Sequence, residues 1–66
     1  MDDRLTENDF IEPKDTWAAA DAAGIPKANA RAQTGGLHRT GKIRPRKTIW
    51  RVVDGRRYQV QVFEKA

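Results

Sequence analysis

The sequence predicts a small α+β domain in which two short helices precede a two-stranded β-hairpin. Three observations predict it. Residues 17–23 are alanine-rich and closed by Gly24; a second alanine-bearing run opens at Pro26; and two β-branched, aromatic runs flank Asp54-Gly55. The chain has 66 residues, with 13 Lys+Arg against 9 Asp+Glu, one histidine and no cysteine. One domain fits this length, and so short a chain buries only about 60% of the surface its unfolded form exposes, which disfavours a large catalytic cavity. Without cysteine and with His38 alone, disulfide scaffolds, zinc fingers and thiol chemistry are excluded. No apolar run approaches the roughly 18 residues of a membrane span, and the acidic start is unlike a signal peptide. The expectation is a cytoplasmic protein with no cofactor, no metal and no membrane association.

The elements follow in order. Thr6 lies three residues before Asp9, a capping-box spacing, and Pro13 stops what begins there. At most one helical turn is expected in this acidic segment of residues 1–14, with Leu5, Phe10 and Ile11 covering a small core. A flexible acidic tail is the alternative. Asp15 or Thr16 then caps a helix over residues 17–23, which ends at Gly24 because glycine takes positive φ without penalty. Pro26 suits the first position of the next helix, expected over 27–34 until Gly35-Gly36 breaks it. Small alanine side chains let the two helices approach closely, with Trp17 and Ile25 as the large anchors. Plain core packing explains such a pair equally well.

Residues 35–47 hold Gly35, Gly36, Gly41 and Pro45 and read as an irregular basic loop. Beyond it, residues 48–53 and 57–63 form the hairpin, and the second run places Tyr58, Val60 and Val62 on one face and Arg57, Gln59 and Gln61 on the other. A two-residue Asp54-Gly55 loop sets Arg51 opposite Tyr58. A three-residue loop sets Trp50 opposite Tyr58 and Thr48 opposite Val60, and is preferred because it gathers the apolar groups.

Charge is segregated. Residues 1–15 carry a net of −4, residues 16–36 a net of +1, and residues 37–57 a net of +7 from eight bases against Asp54. Basic charge concentrated in one third of a chain points to a polyanion, most often nucleic acid; a solvated charged surface is the bland account. The spacing Gly36-x-x-x-x-Gly41-Lys42 imitates a phosphate-binding loop, but Ile43 replaces the magnesium-binding hydroxyl and no strand is expected before it. His38 has no titratable companion at any motif spacing and reads as an exposed loop histidine. No enzyme is expected.

What remains is a winged helix-turn-helix with a two-stranded β-hairpin wing, spanning residues 15–66. In such folds the second helix enters the major groove and the ribbon tip meets the backbone or minor groove. Lys27, Asn29 and Arg31 are then candidates to read bases or hold phosphates. Lys27 and Arg31, four apart, share a face that Ala30 borders and from which Asn29 is offset. Arg56 and Arg57 sit at the wing tip. Arg39, Lys42, Arg44, Arg46 and Lys47 would neutralise phosphates without reading sequence.

At these residues the chain resembles the small winged, MerR-like DNA-binding domains that include phage excisionases. Ala19-Ala20-Asp21-Ala22-Ala23-Gly24-Ile25-Pro26 is similar to that family's first helix and turn. Gly41-Lys42-Ile43-Arg44-Pro45 is similar to the segment after its recognition helix, and Val53-Asp54-Gly55-Arg56-Arg57-Tyr58 to its wing. The resemblance spans residues 15–63. It implies a bacterial or phage protein that binds duplex DNA as a regulator or recombination directionality factor, with a second copy or a protein partner at the acidic segment left open. Two rivals stand beside it. One is an RNA-binding module in which Trp50, Tyr58 and Phe63 stack on unpaired bases; the other is a protein-interaction or inhibitor domain that works through the acidic segment.

Overall fold

A computed structural model describes residues 4–66; Asp2 and Asp3 of the acidic segment lie outside the described residues. The chain forms a 3-10 turn over Glu7–Phe10, strand β1 (Lys14–Asp15), helix α1 (Thr16–Ala23), helix α2 (Lys27–Arg39), and strands β2 (Ile43–Val53) and β3 (Arg56–Lys65). The result is a small α+β fold with two helices and a three-stranded antiparallel sheet in the order β1-β3-β2.

The Thr6 capping box forms as expected. Asn8 N–H donates to Thr6 Oγ1 and Thr6 N–H donates to Asp9 Oδ2 at 2.8 Å. This turn drives Phe10 into the core, where its ring meets Phe63 edge-on with centroids 6.4 Å apart. Leu5 is buried too, and its N–H donates to Gln33 Oε1 of α2 at 2.7 Å. The described part of the acidic segment is therefore built into the fold. Ile11, expected beside them, is 66% exposed because the turn points it outward.

Asp15 caps α1 by accepting the Ala18 N–H at 2.9 Å. Gly24 ends the helix at φ 68°, and the Ile25 N–H closes back on the Ala20 carbonyl at 3.0 Å, burying Ile25. Ala19, Ala20 and Ala30 are fully or almost fully buried, and Ala23 packs against them, so the two helices meet through methyl groups. Trp17 does not anchor this interface. It is half-buried outside the core and stacks on Tyr58, with centroids 6.1 Å apart and planes at 25°.

Helix α2 does not break at Gly35-Gly36. It continues to Arg39, and neither glycine takes positive φ. Each glycine costs about 1 kcal/mol in a helix interior. The extra turn offsets this by carrying Leu37 onto the core in line with Ala30 and Thr34, at helical spacing. The helix ends at Gly41, φ 77°, where the Lys42 N–H returns to the Leu37 carbonyl.

The expected basic loop is divided between the two elements that flank it: residues 35–39 belong to α2 and residues 43–47 to β2, leaving a short turn between them. Ile43, 1% exposed, begins β2 as a core residue. Pro45 is accommodated because β2 is an edge strand and the register shifts between Pro45 and Lys47, leaving Arg46 as the extra residue of a bulge. At the hairpin, Asp54 (φ 52°) and Gly55 (φ 77°) both take positive φ, so the loop has two residues and Arg51 lies opposite Tyr58. The three-residue register is overturned: Trp50 faces Gln59 and Thr48 faces Gln61. A turn with two positive φ values matches the right-handed twist of its strands, and this outweighs gathering the apolar groups. The core consequently draws on Phe63 from the opposite face of β3, while of Tyr58, Val60 and Val62 only Val62 is buried.

Candidate nucleic-acid interface

Helix α2 has two sides with different roles. Ala30 and Thr34 are buried, and Thr34 Oγ1 donates to the Ala30 carbonyl at 2.7 Å. Lys27, Ala28, Asn29, Arg31 and Ala32 are all exposed. Ala30 is thus seated in the core and does not border the outward face. Lys27 and Arg31 share a hollow of about 140 Å3 with Thr16, Trp17 and Ala28. On α2 itself the exposed neighbours of the two cations, Ala28 and Ala32, are small, and Trp17 of α1 forms the other side of the hollow.

The hairpin also has two faces. On one, Lys47, Ile49 and Arg51 lie opposite Val62, Val60 and Tyr58. This face is tied to α1: Arg51 Nη2 donates to Asp15 Oδ2 at 2.6 Å, while the other oxygen of Asp15 caps the helix. Asp15 is only 3% exposed, so one buried carboxylate fixes both the helix start and the hairpin's lean. On the second face, Thr48, Trp50 and Val52 lie opposite Gln61, Gln59 and Arg57. Trp50 is 62% exposed, and the Arg57 guanidinium lies 5.3 Å from its ring centroid. Gln59 and Gln61 form one wall of an open cleft of about 450 Å3, with Arg31 and His38 of α2 on the other side.

The remaining basic residues are dispersed. Arg39 and Lys42 are exposed at the far end of α2. Arg44 donates twice to Glu64 Oε2, at 3.1 and 2.9 Å, and Arg46 donates to Oε1 at 3.1 Å. Lys47 lies beside Ile49 and Val62 on the face tied to α1. Arg56 and Arg57 begin β3 directly after the turn. His38 sits on α2, not on a loop, with its ring 5.2 Å from that of Phe63. The structure thus brings Lys27 and Arg31 together and sets Arg57 across the hairpin from Trp50, but it engages Arg44, Arg46 and Arg51 within the protein. Gln59 and Gln61 were not foreseen as site residues, and Trp50 enters only in the RNA-binding alternative. Their alternation around Asp54-Gly55 identifies their common face only once the loop length is known.

The Arg44 hydrogen bond, then that from Arg46, holds the Glu64 carboxyl below its ordinary value of 4.5. A carboxylate lowered in the folded state stabilises the protein fully above that ordinary value and loses its contribution as pH falls through the lowered one. The expected result is that Glu64→Gln melts lower than the parent at neutral pH and that the difference disappears in strong acid. Melting curves across a pH series check it; a difference that grows on acidification contradicts the pairing.

Among the described residues, no helix is long and apolar enough to cross a membrane. Comparison with family models, curated proteins and solved structures finds no match to this chain.

Proposed function

We propose that this chain is a winged helix-turn-helix protein that binds duplex DNA without catalysis, as a small bacterial or phage regulator or recombination directionality factor acting in the cytoplasm. The observation that carries the reading is the outward face of α2. A 13-residue helix held from behind by Ala30 and Thr34 presents Lys27, Asn29 and Arg31 among alanines, beside a hairpin with Arg56 and Arg57 next to its turn. Such a helix can approach base edges closely, and cations at its sides and on the hairpin suit the flanking phosphates.

Band-shift titrations test it. If about four to six cations meet phosphates, the log affinity should fall against log salt with a slope near −4 to −5. Arg31→Ala should reduce the preference for a selected site over random duplex by about 1 to 3 kcal/mol if Arg31 reads a base edge. Lys27→Ala should weaken both sequences about equally. No duplex binding at low salt, or a slope shallower than about −2, contradicts the proposal. An equal loss of specific and random binding in Arg31→Ala removes α2 as the reader.

A further inference from the structure

Apart from Arg57, the second face of the hairpin has no role in the proposed duplex binding. Trp50 and Val52 are 62% and 66% exposed there, side by side at strand spacing. Tyr58 and Phe63 differ: Tyr58 is stacked on Trp17, and Phe63 is in the core. Of the hairpin aromatics, Trp50 is the most exposed, ahead of Tyr58 at 41%.

Its surroundings are specific in charge. Arg57 lies against the indole, and Gln59 is directly across the strand pair. No carboxylate belongs to this face, since Asp54 is in the turn and Glu64 is held by Arg44 and Arg46. A flat aromatic ring, a guanidinium and amide hydrogen-bonding groups without an acid suit a nucleobase with its phosphate, because every base has a π-face and every link an anion. The face is also continuous with the cleft. Gln59 and Gln61 line that cleft opposite Arg31, so a strand lying along α2 leads onto Trp50.

We infer that the Trp50 face of the hairpin binds an unpaired stretch of DNA by stacking a base on the indole, with Arg57 at the adjoining phosphate. This surface is separate from α2, and its occupant is single-stranded DNA.

The test uses the full chain with two fluorescent probes, an eight-nucleotide single strand and a blunt duplex, read by anisotropy. Trp50→Ala should weaken single-strand binding about tenfold, within the range that one stacked base supplies. It should leave blunt-duplex affinity within about twofold, and Trp50→Phe should restore most of the loss by keeping a stacking ring. Because Trp50 is exposed, melting of both variants should match the parent, which separates a binding defect from a folding one. The inference is overturned if the parent does not bind the single strand, or if Trp50→Ala binds it unchanged. An equal loss on both probes also overturns it, placing Trp50 on the duplex surface. Loss of duplex binding alone, with the Trp50 effect intact, would remove the reading of α2 and leave this one standing.

Discussion

Phe10→Ala is expected to abolish cooperative folding at room temperature. Phe10 is 0% exposed, is among the largest fully buried side chains, and touches the ring of Phe63. Truncating a buried phenylalanine costs about 3 to 5 kcal/mol, and a core in a chain this small rarely supplies more than about that. The loss would fall on a segment that could be mistaken for a tail. Thermal melting followed by circular dichroism checks it, and a melt retained near the parental temperature would mean that residues 5–10 are not part of the core. Trp17→Ala is the informative comparison. Trp17 is half-buried and outside the core, so its removal should cost less than that of Phe10 and should loosen the hairpin through Tyr58.

The second large effect is expected at Asp15. Its two carboxylate oxygens serve different elements: Oδ1 accepts from the N–H of nearby Ala18, and Oδ2 from Arg51, 36 positions along the chain. Asp15→Ala removes both, leaving a half-buried guanidinium without its anion, and should cost about 3 kcal/mol. A lost cap contributes about 1 kcal/mol of this, and the rest is the orphaned charge, reduced by the partial exposure of Arg51. Asp15→Asn keeps a good capping side chain while losing the charge, so it should cost roughly half as much. Denaturant titration of the two variants resolves the contributions. A loss near zero in Asp15→Asn would mean that the ion pair with Arg51 contributes nothing, and equal losses in the two variants would mean the same of the cap.

What could be read from the sequence was what neighbours decide. Thr6 with Asp9, Asp15 before Ala18, and Gly24 at the helix end are local hydrogen-bonding choices, and each appears where its residues suggest. The extent of α2 was not local. Gly35-Gly36 ends a helix on propensity, and only the burial of Leu37 against distant residues reverses that. The register failed for a related reason. Pairing Trp50 with Tyr58 looked favourable on the assumption that both belong inside, whereas one is exposed and the other stacks on Trp17. The two-residue β1 left no signal, since Lys14 and Asp15 have neither branched nor aromatic side chains and pair only because Phe63 and Val62 are beside them. At the candidate site, the residue types on α2 were legible from spacing. The face shared by Trp50, Arg57 and Gln59 was not, because one residue more in the turn would have sent Trp50 to the other side.

The open border of β2 has a consequence for how the protein behaves in bulk. An eleven-residue strand with one flank unpaired is a template on which another chain can assemble. Here that border carries Pro45, the Arg46 bulge and a succession of cations, so two copies meeting flank to flank would set like charges against each other and lack one donor. The guard is partly electrostatic, and concentrated salt shortens its range to about 3 Å at 1 M. The same ionic conditions that would detach the protein from a polyanion therefore lower its barrier to self-association, leaving Pro45 and the bulge as the part of the defence that salt does not reach.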